Sequence, residues 1–442
     1  MAENHAAVAG QGRLNGLTIL RYAHVSGNAG GLEQYLFNLN RALGERNQFT
    51  GVQMEITDRR EQLQESFEQF GGCNLTKIPL LVEADSLAES MSGKTASCKN
   101  KLKSWLVERG LCAAPVYALF TRHYLKRRRV PRRPGEPAAA GEEFSKLARR
   151  FKIDLVILHS SGGADASEII LAAKRANIPT ALVYHFSNDR LAGLSLRQQA
   201  ADLDGVAGVY GGDVPKYLRA RFTNVSDGVD TDFFQVERAG KLPQKFFGPV
   251  LFLPARITRT KGQTDVLKVA GLLKKRGVAV TVAFAGRVDS PEFECELRAL
   301  SAKEGLGDAV QFVGQLNSAQ LRDWYAAARV LVFPTRHHEG LPRILMECQA
   351  MGLPPVVYDI GGTPEGLVDG RTGFLIPSGN VPAMADAVAR LISDDALHSD
   401  VAQAGRRLVE EKFSLPSLAK RHEDFCLKVL ATHRNRPPVN FK

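Results

Sequence analysis

The sequence predicts an α/β fold: two Rossmann-like, doubly wound domains facing across a cleft, with a final helix returning to the first domain. Three observations carry this expectation. Short apolar runs of strand length alternate with amphipathic helical stretches over residues 17–212, and the alternation restarts near residue 250. Between the two series lies "FFQVERAGKLPQKFFGP" (233–249), which lacks a clear period and carries two prolines and two glycines. A length of 442 residues, 44% hydrophobic and 24% charged, suits two ordinary globular domains with sizeable cores.

Taken in order, residues 1–14 read as a flexible tail. "LTILRYAHV" (17–25) reads as a strand, "SGNAGG" as a loop, and "LEQYLFNLNRALGE" as a helix with Leu32, Tyr35, Leu36, Leu39 and Leu43 on its apolar face. That is the opening βα unit of a parallel sheet. "IDLVILHS" (153–160), "TALVYHF" (180–186) and "VAGVYGG" (206–212) are further strands, with the helix "ASEIILAAKRAN" after the first of them. The second series gives "VLFLPAR", "AVTVAFAGR", "AVQFVG", "VLVFPT" and "PPVVYDIGG" as strands, separated by helices such as "QTDVLKVAGLLKKRG" and "SAQLRDWYAAAR". The expected layout is a first domain over 15–238 with a basic insertion near 95–140, a second domain over 245–414, and a crossing helix and tail over 415–442. The helix "LPSLAKRHEDFCLKVLATH" (415–433) has no obvious place in the second domain and is expected to brace the first.

Composition excludes several classes. The first residues show no basic and apolar leader, and no run approaches the ~18–20 apolar residues of a membrane span. Six scattered cysteines form no CxxC pair and have no histidines at zinc spacing, so a reducing cytoplasm is the expected location. The net charge of +11 is concentrated: residues 99–133 hold eleven basic side chains against one acid, Glu108. Trp105, Tyr117, Phe120 and Tyr124 interleave with that charge, a pattern suited to an anionic membrane surface at the inner face or to a phosphorylated or lipid-linked acceptor. A solvated insertion is the plain alternative, and no motif points to nucleic acid.

Ligands of open α/β sheets bind at the carboxyl ends of the strands. "LPARITRTKG" places Arg256 and Lys261 there, five residues apart in a strand-to-helix loop, where a planar fork and a point charge can converge on a diphosphate. "RHHEGLPRILMEC" (336–348) places Glu339 on a loop and Glu347 in the helix that follows. Pro342 is expected as the first helical residue, since its missing N–H needs no partner. On one helix the two carboxylates would stand ~12 Å apart along the axis, too far to share a proton. They are therefore expected to do different work on one extended ligand. Between them, the backbone amides of Leu341, Arg343 and Ile344 after Gly340 face outward at a positive helix end, a place for phosphate. His185 ends the "TALVYHF" strand at the cleft edge, His159 occupies a similar position in "VILHSS", and Glu365 in "GGTPEGL" follows a glycine turn. Asp202 and Asp204 form a DxD tripeptide ahead of a strand; no metal is expected there.

"PTRHHEGLPRILMECQAMGLPPVVYDIGGTPEGLVDGRTGFLI" closely resembles the signature of the retaining nucleotide-sugar glycosyltransferases of family 4, also called group 1 glycosyltransferases. The resemblance covers most of residues 17–412 and is strongest from 250 onward. It implies the GT-B fold and transfer of a sugar from a nucleotide-diphosphate donor to a glycan or lipid-linked acceptor, as in cell-surface polysaccharide or lipopolysaccharide assembly, with retention and without a cofactor. It assigns Glu339 to the transferred sugar, Glu347 to the ribose hydroxyls, and Arg256 and Lys261 to the diphosphate. It places Gly30 and Gly31 of "GNAGGLEQYLFNLNRAL" beside the phosphates or acceptor, and aligns His185 with a histidine that contacts the donor sugar. "SDGVDTDFF" looks like the family's domain-closing "NGVD" segment, with Asp227 in place of asparagine. Two further departures are Pro342, where the common form has glycine, and "AGRVDSPEF", where Gly286 and Arg287 lack the second glycine of a Gly-x-Gly turn at the nucleotide. Rival readings are a nucleotide-sugar epimerase or phosphorylase of the same fold, and a non-catalytic partner that only binds a nucleotide sugar. The cation and carboxylate motifs weigh against both.

Overall fold

The computed structural model describes residues 14–23, 31–57, 66–81, 140–159, 164–185, 202–212, 214, 221–242 and 246–436. The basic segment 99–133 and Gly30 lie outside the described residues. Leu14, assigned to the tail from sequence, is fully buried, and its N–H donates to the Asn47 side chain at 2.9 Å.

The first unit is built on β1 (Thr18–Ala23), α1 (Gly31–Gly44), β2 (Phe49–Thr57), β3 (Ser66–Phe70), β4 (Cys73–Leu81), α2 (Ala140–Phe151), β5 (Leu155–Leu158), α3 (Ala164–Arg175), β6 (Thr180–Tyr184), β7 (Gly205–Gly208) and β8 (Phe222–Asn224). Its sheet runs β3-β4-β2-β1-β5-β6-β7-β8, parallel throughout except for the antiparallel β3–β4 pair. Successive side chains of a strand point to opposite faces, and this sheet is covered on both. Ile19, Leu155 and Ile157 pack with α1 on one face, while Leu20, Val156 and Leu158 pack with α2 and α3 on the other. Strands β2 to β4 have no counterpart in the sequence reading. Gln53, buried in the middle of β2, interrupts its apolar pattern, and Ser66 and Glu68 do the same on the edge strand β3.

The second unit contains β9 (Val250–Pro254), α4 (Gln263–Lys275), β10 (Thr281–Ala285), α5 (Pro291–Lys303), β11 (Val310–Gly314), α6 (Ser318–Ala327), β12 (Val330–Phe333), α7 (Arg343–Ala350), β13 (Pro355–Asp359), β14 (Phe374–Pro377), α8 (Val381–Ser393) and α9 (Asp395–Lys412). All six strands are parallel, in the order β11-β10-β9-β12-β13-β14. The strand order reverses between β9 and β12, the point at whose carboxyl edge an open α/β sheet takes its ligands.

The last helix, α10 (Leu415–Arg434), returns to the first unit as expected. Leu418, Phe425, Cys426 and Val429 join the apolar face shared with α1. Gly205 of β7 lets the helix approach: a Cβ there would lie 2.5 Å from Val429. The chain crosses between the units twice. Val225 is buried in the first core and Val229 in the second; on the way back, Phe413 lies in the second core and Leu415 in the first. The two crossings run side by side, with the Val229 N–H donating to the Phe413 carbonyl at 2.8 Å. Ser226, at φ 52°, takes the left-handed turn that redirects the first crossing.

Candidate active site

The loop after β9 contains one 3-10 turn, Arg259–Lys261, and closes on Gly262 at φ 84°. A Cβ at Gly262 would lie 2.0 Å from the Pro334 carbonyl oxygen, so glycine is required both by conformation and by the loop after β12. This close approach brings the two loops of the switch point together. Lys261 Nζ donates to Glu339 Oε1 at 2.5 Å, and the Thr335 hydroxyl donates to the same oxygen at 3.1 Å. The Gly361–Gly362 turn holds the backbone of Glu339, with the Gly362 N–H donating to the Glu339 carbonyl at 2.9 Å. Lys261 and Glu339 are therefore one ion pair, mostly shielded from solvent.

Arg256 is held differently. Its Nη1 donates to Asp289 Oδ2 at 2.7 Å, while Arg287 Nε donates to the other oxygen at 3.1 Å. One carboxylate thus parks two exposed guanidinium groups at the mouth of the crevice, where a phosphate could displace it. Gly286, at φ 142°, makes room for this arrangement, since a Cβ there would lie 2.4 Å from the Ala255 carbonyl oxygen.

Helix α7 starts at Arg343. Pro342, expected as the first helical residue, instead has an extended ψ of 121° and caps the helix. Its carbonyl accepts from the Leu345 N–H at 3.1 Å, leaving the Arg343 and Ile344 amides without a helical acceptor, as helix geometry dictates. The Leu341 and Ile344 side chains pack into the second core. Glu347 is buried; the Tyr325 hydroxyl donates to its Oε2 at 3.0 Å, and Arg343 Nη2 stands 3.5 Å from its Oε1. Burial pushes the Glu347 carboxyl above its ordinary range, and Arg343 and Tyr325 oppose that shift.

Across the crevice, His185 follows β6 and its carbonyl faces Gly340, where a Cβ would lie 3.1 Å from that oxygen. The two sheets therefore meet at the loop that carries Glu339. His185 Nε2 is 3.1 Å from His159 Nδ1, and the Tyr35 ring stands edge-on to His185 at 4.7 Å between centroids. The Tyr35 hydroxyl is hydrogen-bonded to His422 Nε2. Burial lowers the His185 pKa to about 3 and holds His159 and His422 well below the ordinary histidine value. His185 is thus a neutral hydrogen-bonding group and not a proton donor at neutral pH.

Other candidates fall elsewhere. Gly31 opens α1 at the carboxyl end of β1. Glu365 clasps the facing unit, its Oε1 accepting from the Gly211 N–H at 2.9 Å and its Oε2 from Asn224 Nδ2 at 3.2 Å. Asp202 pairs with Lys174. The Asp204 carboxylate takes the Thr180 N–H, His433 and Arg436. Among the described residues, no group of three His, Cys, Asp or Glu is placed to hold a metal, and no helix is long and apolar enough to cross a membrane. The sequence reading missed Thr335, Tyr325 and Asp289, and gave no sign that the Gly361–Gly362 turn holds the Glu339 backbone. Only Thr335, four residues before Glu339, lay close enough in the chain to be suspected.

Residues 241–408 match the family described as glycosyl transferases group 1. Over 167 residues the chain is 31% identical to an alpha-D-kanosaminyltransferase from Streptomyces kanamyceticus, covering 38% of this chain and 42% of that protein. It is 29% identical over 235 residues to a GDP-mannose-dependent alpha-(1-6)-phosphatidylinositol monomannoside mannosyltransferase from Mycobacterium tuberculosis, covering 48% and 60% of the two chains. The match therefore spans about half the length of these curated relatives. The chain superimposes on Anabaena Alr3699/HepE, solved in complex with UDP, with a TM-score of 0.66 at 15% identity over 92% of this chain and 99% of that one. The two-sheet architecture is the GT-B fold.

Proposed function

We propose that this chain, whose residues 241–408 form a group 1 glycosyltransferase domain, moves a sugar from a nucleotide-diphosphate donor to a glycan or lipid-linked acceptor. One observation carries the reading: the Lys261–Glu339 pair sits at the strand-order reversal of the second sheet, against the His185 end of the first. That is where an α/β sheet takes a nucleotide, and where a second domain can present an acceptor.

Cleavage of the sugar–phosphate bond leaves negative charge on the departing nucleoside diphosphate. Fixed positive charge aimed at that oxygen lowers the barrier more than any proton transfer could, because the leaving group is already good. In this reading Lys261 supplies a buried point charge, Arg256 swings from Asp289 to the outer phosphate, and the first amides of α7 add partial positive charge. Glu339, freed from Lys261, accepts hydroxyls of the transferred sugar, and Glu347 accepts the ribose hydroxyls. Neutral His185 contributes a hydrogen bond from the opposite wall. Retention and independence of metal follow from the family resemblance. The Mycobacterium relative, which acts on a phosphatidylinositol monomannoside, supports a lipid-linked acceptor and work at the cytoplasmic membrane surface, as does the basic stretch at 99–133.

The test is thermal shift with a panel of UDP-, GDP- and ADP-sugars. The expected result is stabilisation by one nucleotide class, reduced in Lys261→Ala and Glu347→Ala. No shift with any donor would refute the donor site.

A further inference from the structure

We propose that the Arg343 side chain is a positioning residue that ties the ribose-binding carboxylate to the inter-domain hinge, through an ion pair with Asp227. The inference rests on reading Glu347 as the ribose acceptor.

Arg343 breaks two local rules. It is the first residue of α7, so its cation sits at the positive end of the helix dipole, and its partner Glu347 is four residues on, the less favourable order for such a pair. Its side chain is only 16% exposed, so water does not relieve the conflict. The relief comes from another part of the chain. Nη1 donates to Asp227 Oδ2 at 2.8 Å and lies 3.5 Å from the Gly228 carbonyl oxygen.

Asp227 belongs to the first of the two crossings between the units and is anchored to the first unit on several sides. The Gly228 carbonyl accepts from Asn38 of α1 at 2.9 Å, and the Asp227 carbonyl lies 3.3 Å from Arg421 Nη2 of α10. Asp227 Oδ1 takes the Gly228 N–H at 2.6 Å. One guanidinium thus links α1 and α10, through the hinge, to Glu347 and on to Tyr325. The two ends of the link are not equal: Asp227 is held closely, whereas Glu347 Oε1 at 3.5 Å keeps room for a hydroxyl donor.

This geometry makes closure and ribose binding favour each other. With Asp227 in place, the guanidinium is drawn away from Glu347 and the carboxylate is open to the ribose. If the hinge opens and Asp227 withdraws, Arg343 has only Glu347 left to neutralise and covers the same oxygen. A ligand that prefers one arrangement shifts the population toward it, and the coupling is reciprocal.

The experiment measures binding of UDP, GDP and ADP and their 2′-deoxy forms by calorimetry to Asp227→Asn, Arg343→Gln and the double variant, using whichever base binds the wild type. Asp227→Asn is expected to lower ribonucleoside diphosphate affinity about tenfold and to shrink the preference over the 2′-deoxy form, and adding Arg343→Gln, which removes the cation that would cover Glu347, is expected to cost no more than Asp227→Asn alone. A merely structural role would weaken both forms alike. Losses that add in the double variant, or an unaltered ribose preference in Asp227→Asn, would overturn the proposal. Arg343→Lys, which keeps the charge without the fork, is read by the same ratio if Arg343→Gln does not fold. Unchanged nucleoside diphosphate affinity in Glu347→Gln would instead overturn the reading of Glu347 itself.

Discussion

Replacing Lys261 by alanine tests the proposed chemistry at its most exposed point. The side chains of Lys261 and Glu339 are 14% and 21% exposed, so their environment is nearer an effective dielectric of ~20 than that of water. A phosphoryl oxygen ~3 Å from the ammonium then gains about 5 kcal/mol of gross attraction. Part of that replaces the existing bond to Glu339, which leaves a net term of about 3 kcal/mol, within the ~10²–10³ in kcat lost when one charge-stabilising donor is removed. The substitution also strands the Glu339 carboxylate beside the diphosphate, with only the Thr335 hydroxyl for support. Lys261→Ala should therefore weaken nucleoside diphosphate binding more than Lys261→Ala/Glu339→Gln does, although neither variant should transfer sugar at an appreciable rate. Initial rates of nucleoside diphosphate release, with the donor that stabilises the wild type, give the kinetic arm, and calorimetry gives the binding arm. If Lys261→Ala keeps more than a third of kcat, or if adding Glu339→Gln worsens nucleotide binding, the charge argument fails.

Three further expectations follow from the geometry. Gly262→Ala places a Cβ 2.0 Å from the Pro334 oxygen at a left-handed φ, so a loss of at least ~2 kcal/mol in chemical denaturation is expected, together with loss of donor binding as Lys261 shifts. Tyr325→Phe removes a 3.0 Å hydrogen bond from the buried Glu347 carboxyl; about 1–3 kcal/mol of stability should disappear, and equal stability of the two proteins at 25 °C would contradict the bond. The pH dependence has a definite sign: His185, at about 3 when folded, stays neutral while the unfolded chain takes up its proton near pH 6.5, so stability present above pH 6.5 is lost as pH falls toward 3. His159 and His422 act in the same direction, each contributing up to ~1.4 kcal/mol per pH unit, and His185→Asn should flatten the urea midpoint measured between pH 7 and pH 5.

Much of the architecture was legible because parallel strands buried on both faces leave unbroken apolar runs, as in "LVIL" and "VLVF". Strands β2 to β4 were not, because Gln53 is buried by a partner on α1, Asn40, and no local pattern announces a polar core residue that is satisfied from afar. At the site, Arg256, Lys261, Glu339 and Glu347 could be singled out because each lies beside a strand end or helix start that the pattern reveals. What the spacing could not show was who holds them. Asp289 lies 33 residues from Arg256, and Asp227 lies 116 residues from Arg343. Glu365 looked like a ligand residue from its glycine turn, yet its nearest partners, Gly211 and Asn224, are supplied by the other sheet. The place of Pro342 failed for a simpler reason. Its fixed φ suits the first helical position and the capping position equally well, and ψ, which separates them, is set by the turn that delivers Glu339.

The return of α10 has a consequence for how the protein is made. One apolar face of the first sheet, including Ala181, Ala207 and Val225, is covered by Leu418, Phe425 and Val429, which are synthesised nearly two hundred residues after Val225. At roughly 5–20 residues per second, that face waits ten seconds or more on the ribosome with the second unit already emerging beside it. The unit made first is thus the one completed last. A truncation before Leu415 is expected to damage the first unit rather than the second, although the missing residues directly follow the second in the chain.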